Sequence, residues 1–148
     1  MKRHEIRKEL MEQHANLRLI IDEARRAVGR ARESVSMRAD LRACVGRLSL
    51  GLRTHNLREE DLLARILSTV DAWGPARAEI MNEQHVAEHA ELCAVLVDAN
   101  ATSDTGIGDG VLVAVLDRLL EHMACEEKAF LGEDVLRDDG AVVDQFSG

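Results

Sequence analysis

The chain has 148 residues with 19 basic and 27 acidic side chains, a net charge of −8, and is 46% hydrophobic but only 2% aromatic. That size fits one domain, residues 1–148, with a core of its own; the apolar content is too high for a disordered chain, and no uncharged apolar run reaches the ~18 residues of a membrane span. An acidic chain whose aromatics are Trp73, Phe130 and Phe146 lacks the basic face and the stacking platforms of a nucleic-acid binder.

The basic start, Met1-Lys2-Arg3-His4-Glu5, is followed by no apolar run and is not a signal peptide. One proline is present, Ala, Leu, Arg and Glu dominate, and the chain reads as helix almost throughout. A first helix is predicted over roughly 5–33, with the apolar stripe Ile6, Leu10, Leu17, Ile21, Ala24 and Val28 and with His14 in its gap. Ser34-Val35-Ser36 offers N-cap hydroxyls for a second helix over roughly 37–71. Its stripe is Leu41, Val45, Leu48, Leu52, Leu62, Ile66 and Val70, and its gap holds His55 and Glu59. Asp71 to Pro75 is a stop-and-restart signal. The third helix, roughly 75–100, carries Ala78, Met81, Leu92, Leu96 and Ala99 around His85 and His89. A glycine-rich loop follows, with neither a P-loop nor a dinucleotide fingerprint. The fourth helix, roughly 110–131, runs Leu112, Val115, Leu119 and Phe130 around His122 and Glu126. The tail, 132–148, is weakly patterned, with Val142, Val143 and Phe146 as its docking candidates. Four amphipathic helices on short links predict an all-α, up-down-up-down four-helix bundle with a core over about 5–131.

The three cysteines, Cys44, Cys93 and Cys125, form no close pair and lie near apolar stripes. They read as small core fillers of a chain kept in a reducing cytoplasm.

The interruptions of the stripes carry the functional signal. Positions four apart differ by about 40° around a helix and so share one face. His55-x-x-x-Glu59, His85-x-x-x-His89 and His122-x-x-x-Glu126 therefore each place two polar groups where the core should lie, and His14 adds one more. Burying one such group costs a few kcal/mol unless it is satisfied. Seven of them on four helices must satisfy one another, and imidazoles with carboxylates do that best around metal. No cysteine joins them, which argues against structural zinc and iron–sulfur sites. Seven ligands suit two ions bridged by the carboxylates. With a bridging oxo or hydroxo group, three histidines complete one six-coordinate iron, while two leave the other with an open position. A nitrogen-rich shell of low charge suits reversible dioxygen binding better than oxygenation.

At Glu12-Gln13-His14, His55-Asn56-Leu57-Arg58-Glu59-Glu60, Glu83-Gln84-His85-Val86-Ala87-Glu88-His89 and His122-Met123-Ala124-Cys125-Glu126-Glu127, the chain resembles the hemerythrin-like, or HHE cation-binding, family. The resemblance covers roughly residues 5–131 and implies a four-helix bundle around a non-haem di-iron centre that binds dioxygen. It assigns His85, His89 and His122 to one iron, His14 and His55 to the other, and Glu59 and Glu126 to the bridges. The animal oxygen carriers place an aspartate five residues after the last histidine, where this chain has Glu127. Five residues rotate about 140° off the face, so helix geometry favours Glu126 unless a bulge intervenes. The carriers' pocket aromatics are missing, and Leu17, Leu119 and Met123 are the candidate wall, with Asn56 a polar addition. The expected function is dioxygen binding for storage, delivery or sensing. The alternative is a di-iron enzyme acting on hydrogen peroxide or nitric oxide at the same open position.

Overall fold

The computed structural model describes residues 1–70, 76, 79–102, 106–132 and 136, and the side chains within these apart from 67–70, 81 and 82. The predicted stop-and-restart at Asp71 to Pro75, Ala78, the side chains of Val70 and Met81, and the tail residues Val142, Val143 and Phe146 lie outside what is described. The described residues form helices and no strand: α1 (Arg3–Glu33), α2 (Arg38–Val70), α3 (Val86–Ala101) and α4 (Asp109–Ala129). No described helix is long and apolar enough to cross a membrane.

Each helix packs on its neighbour in the chain, and α1 packs again on α4, which closes the ring around one interior. The arrangement is that of a helical bundle. The stripes read from the sequence form that interior: Ile6, Leu10, Leu17, Ile21, Ala24 and Val28 are all buried on α1, as are Leu92, Leu96 and Ala99 on α3. Ile66, the late member of the α2 stripe, is only partly buried. The apolar side chains separate into two clusters. The larger joins α1 from Leu17 onward to the first half of α2, to α3, and to α4 as far as Met123. The smaller gathers Ile6, Leu10, Leu62, Leu63, Phe130, Leu131 and Leu136. Between them in sequence lie His14 on α1, His55 and Glu59 on α2 and Glu126 on α4.

Four local features differ from the sequence expectation. Ser34 and Ser36 do not cap α2; their hydroxyls bond each other at 2.8 Å, and α2 is entered through a tight 3-10 turn, Val35–Met37. α1 begins two residues earlier than expected because the Glu5 carboxylate accepts the Lys2 backbone N–H at 2.6 Å. α3 is entered through a wide π turn, Met81–His85, which no periodicity announces. Cys125 is exposed, while Cys44 is buried and Cys93 lies between. Cys125 precedes Glu126 by one residue, about 100° around the helix, which turns it outward as Glu126 turns in.

The end of the bundle remote from the histidines is held by charge. Arg38 at the start of α2 donates to Asp109 at the start of α4 at 2.7 Å. Gly106 has φ +74°, a conformation that favours glycine. At the other end, Arg7 donates to the Leu131 carbonyl at 2.8 Å, which ties the chain beyond α4 to α1.

The larger cluster is expected to supply most of the fold's stability. Leu96→Ala, at a fully buried position, should cost about 2–5 kcal/mol in urea denaturation. Leu50→Ala, at an exposed one, should stay within about 0.5 kcal/mol of the parent chain.

Candidate metal centre

The seven residues singled out by the sequence come together. His14, His55, Glu59, His89, His122 and Glu126 are all buried, and His14 is 0% and the two glutamates 1% exposed. His85, which closes the π turn, is the most open, with 12% of its side chain accessible. The Phe130 ring stands edge-on to it at 4.7 Å.

The donor atoms form two groups. One comprises His85, His89, His122 and Glu126; the other comprises His14, His55, Glu59 and Glu126. Within each group the donor atoms all lie within 4.8 Å of one another, and Glu126 belongs to both. Its Oε2 lies 3.1 Å from Nε2 of both His85 and His89, while its Oε1 lies 3.1 Å from His122 Nε2 and 3.5 Å from His14 Nε2. Glu59 also spans the groups: Oε2 is 3.2 Å from His55 Nε2 and 3.4 Å from His14 Nε2, and Oε1 is 3.6 Å from His89 Nε2.

Most of these contacts are short without being aligned as hydrogen bonds. Both Glu59 oxygens, Glu126 Oε1, His85 Nε2 and His122 Nε2 are buried with no hydrogen-bond partner. Such orphaned atoms are rare in a folded interior. Here they converge on one place, which is the pattern of a ligand set.

The other ring nitrogens explain why Nε2 faces inward. Glu127 lies 3.0 Å from His14 Nδ1, Gln13 Oε1 2.6 Å from His55 Nδ1, Glu60 2.8 Å from His89 Nδ1, and Glu88 3.1 Å from His122 Nδ1. The first three of these are hydrogen bonds, in which a carboxylate or amide oxygen accepts, so His14, His55 and His89 carry a proton on Nδ1 and turn Nε2 inward; Glu88 pairs with His122 by charge. Of these four partners, Gln13, Glu60 and Glu88 are not singled out by the spacing, and Glu127 enters there only as the alternative to Glu126 as a ligand. A sequence signal exists for them: each stands next to a cluster residue, at Gln13-His14, Glu59-Glu60, Glu88-His89 and Glu126-Glu127. One residue turns the side chain about 100° away from the interior, toward the histidine of the next helix. Glu127 thus holds His14 from outside the cluster, and Arg18 donates to its other oxygen at 2.7 Å. Glu126 is the glutamate that enters the cluster.

The test of fit is at His14 and His55, whose Nε2 atoms lie 3.1 Å apart. With both protons held on Nδ1, these are two lone pairs face to face, which repel unless something positive joins them. Neighbouring ligands on an ion with metal–nitrogen bonds of about 2.1 Å stand roughly this far apart. In the metal-free chain, protons take that part. Burial pushes the His14 imidazole down, but Glu59 and Glu127 outweigh it and hold it above its ordinary value. His89 is driven up to about 9 against its burial by Glu126, Glu60 and Glu59. Glu126, though buried, is held well below the usual carboxylate range by its contacts with Glu59, His122, His85 and His89. The residues present therefore fit a pair of divalent cations.

Beside the cluster lies a small cavity with room for one water-sized molecule at most. Leu17, Leu119 and Met123, the predicted pocket residues, are all on its wall, together with His55, His122 and Glu126 of the cluster. An open groove between α1 and α2, lined by Asn16, Ile20, Gly51 and Thr54 among others, shares Leu17 and His55 with the cavity.

Adding a divalent cation to the metal-free protein should raise its unfolding midpoint, since binding to the native chain alone stabilises it by mass action. His122→Ala should remove most of that gain. Glu127→Ala should keep the metal count but weaken affinity about 10–100-fold, as loss of an outer hydrogen bond does. Calorimetric melts with titrated metal read all three.

Residues 5–133 match the hemerythrin HHE cation binding domain. No curated protein and no solved structure matches the chain significantly. The family match spans nearly all of the two histidine–glutamate groups' helices and of the bundle that positions them, and the chain belongs to the hemerythrin HHE cation-binding domain family.

Proposed function

We propose that the chain is a non-haem di-iron protein that binds dioxygen reversibly, for storage, delivery or sensing, in the cytoplasm. The observation that carries the reading is the sharing of Glu126 between two histidine groups, with a small cavity beside them. In this reading His85, His89 and His122 hold one iron, His14 and His55 the other, Glu59 and Glu126 span the two, and the helices run alternately up and down around them.

The donor set supports iron. It contains nitrogen and oxygen but no thiolate, and imidazole with carboxylate suits a redox-active first-row ion. The unequal division, three histidines against two, leaves the His14–His55 side with fewer protein ligands. His55 of that side and His122 of the other both line the cavity, so a guest there borders both metal positions, the less saturated one included. When bound, the ferrous pair supplies the open coordination position and the electrons with which an oxygen ligand is held.

The chain's own groups do the rest. Glu127, Gln13 and Glu60 fix three imidazoles in one tautomer, and Glu88 pairs with His122. Leu17, Leu119 and Met123, each nearly inaccessible, keep bulk water and larger ligands from the cavity. Leu17 stands between the outer groove and the guest space, because it lines both. A second reading, removal of hydrogen peroxide or nitric oxide by the same centre, is favoured by one polar feature of the cavity wall, Asn56.

Reduced, iron-loaded protein should change colour on exposure to dioxygen and recover when the gas is removed. Leu17→Ala should speed the change and Leu17→Trp should slow it, each by about tenfold or more, with iron content unaltered. Stopped-flow absorption reads these rates. A centre that oxidises irreversibly on first exposure, without a recoverable adduct, contradicts the dioxygen-binding reading.

A further inference from the structure

Two open depressions run along the seam between α1 and α2, and they share Arg47. The first, about 280 Å³, is lined by Glu23, Arg26, Arg30, Asp40, Cys44 and Arg47. The second, about 500 Å³, is the groove described above, with Leu17, Ile20, Leu50 and Gly51 as its apolar lining. Residues 23–30 of α1 stand with 40–47 of α2 in the first, and 13–20 with 47–58 in the second. The two therefore follow one another along the seam. Between Arg26 and Asn16, α1 rises about 15 Å.

The basic end differs from the rest of the arginine-rich surface. Arg18, Arg25 and Arg32 on the same helix each reach a carboxylate on α4, and Arg58 at the far end of the groove is taken by Glu9. Arg26 and Arg30, one turn apart on α1, form no ion pair among the described residues. Arg47 stands 3.7 Å from Glu23. Three guanidiniums against the carboxylates of Glu23 and Asp40 leave this end positive, in a chain of net charge −8. Burial holds the Cys44 thiol above its ordinary value, so it adds no charge. In the groove, Gly51 lies inside α2, where alanine would make the better helix. A Cβ there would meet Leu17 and Ile20 only at ordinary contact, 3.5 and 3.8 Å. Sterics do not require this glycine, and its effect is to leave the apolar lining open.

We propose that the seam binds a carboxylate-headed aliphatic molecule, its head among Arg26, Arg30 and Arg47 and its chain along Leu17, Ile20, Leu50 and Gly51. Guanidinium forks match a carboxylate in geometry and charge, and covering the apolar lining favours the chain. A single negative charge on the head balances the single positive excess of the pocket. The far end of the groove shares Leu17 and His55 with the small cavity, so the end of the chain covers that approach to the metal centre. This consequence rests on the di-iron reading; the binding itself does not.

The test is calorimetric titration of the purified chain with decanoate below its micelle concentration. One molecule per chain should bind saturably, while acetate and decanol, each lacking one half of the ligand, should bind at least about tenfold more weakly. The double variant Arg26→Gln, Arg30→Gln, at exposed positions, should weaken decanoate about tenfold or more. Arg53→Gln, on α2 outside both depressions, should leave it within about twofold. Gly51→Met puts a better helix former into the groove and should weaken decanoate with no loss of thermal midpoint. Absence of saturable binding, equal affinity for decanol or acetate, or unchanged affinity in the arginine pair or in Gly51→Met overturns the assignment. An equal loss in Arg53→Gln overturns it too, since net charge alone would then account for binding. So does attachment to phosphatidylglycerol vesicles by a chain that ignores free decanoate, which would make this face a bilayer contact. Should Gly51→Met not fold, the arginine pair decides.

Discussion

Two imidazole nitrogens, Nε2 of His14 and Nε2 of His55, face each other at 3.1 Å in the interior, and the surrounding structure is arranged so that neither can turn away. Glu127 and Gln13 hold the opposite edges of the two rings. Glu59 and Glu126 close in beside them with oxygens that lack hydrogen-bond donors. Such a cluster is unfavourable by itself and favourable around positive charge. The apolar clusters on either side of it in sequence, one ending at Leu10 and the other beginning at Leu17 on α1, keep the groups in place despite that cost.

The outer contacts, three hydrogen bonds and one ion pair, run around the bundle in one direction. Gln13 on α1 reaches His55 on α2; Glu60 on α2 reaches His89 on α3; Glu88 on α3 reaches His122 on α4; Glu127 on α4 reaches His14 on α1. Each helix therefore orients a histidine of the next, and the ring closes. This couples metal binding to the packing of all four helices, so the bundle and the centre stabilise each other. The ring is also uneven. Three of its partners are carboxylates, whereas His55 is held by the neutral amide of Gln13. His55 and His122 both border the cavity.

Helix existence, the buried stripes and the seven converging residues were legible in the sequence because each follows from periodicity. An apolar stripe at 3.6-residue spacing must face inward, and a His or Glu in its gap must face inward with it. The choice of Glu126 over Glu127 followed from the same rotation. What periodicity does not encode was not legible. The π turn before His85 is a change of hydrogen-bond register, set by tertiary packing rather than by residue type. The Ser34–Ser36 hydroxyls had two possible partners, the backbone or each other, and composition does not choose between them. Gln13, Glu60 and Glu88 lie off the stripes, so periodicity does not mark them, and it marks Glu127 only as a rival to Glu126. Cys125 was read as core from its closeness to a stripe, when one residue of offset was enough to expose it.

The central claim, two ions held by seven side chains and bridged by Glu59 and Glu126, is most directly tested by Mössbauer spectroscopy of protein reconstituted anaerobically with iron-57 and then oxidised, with iron counted per chain. The account requires about two irons and a diamagnetic, magnetically coupled pair with two distinguishable sites, as the three-to-two division of histidines imposes. One iron per chain, or two irons with no magnetic coupling, would contradict it.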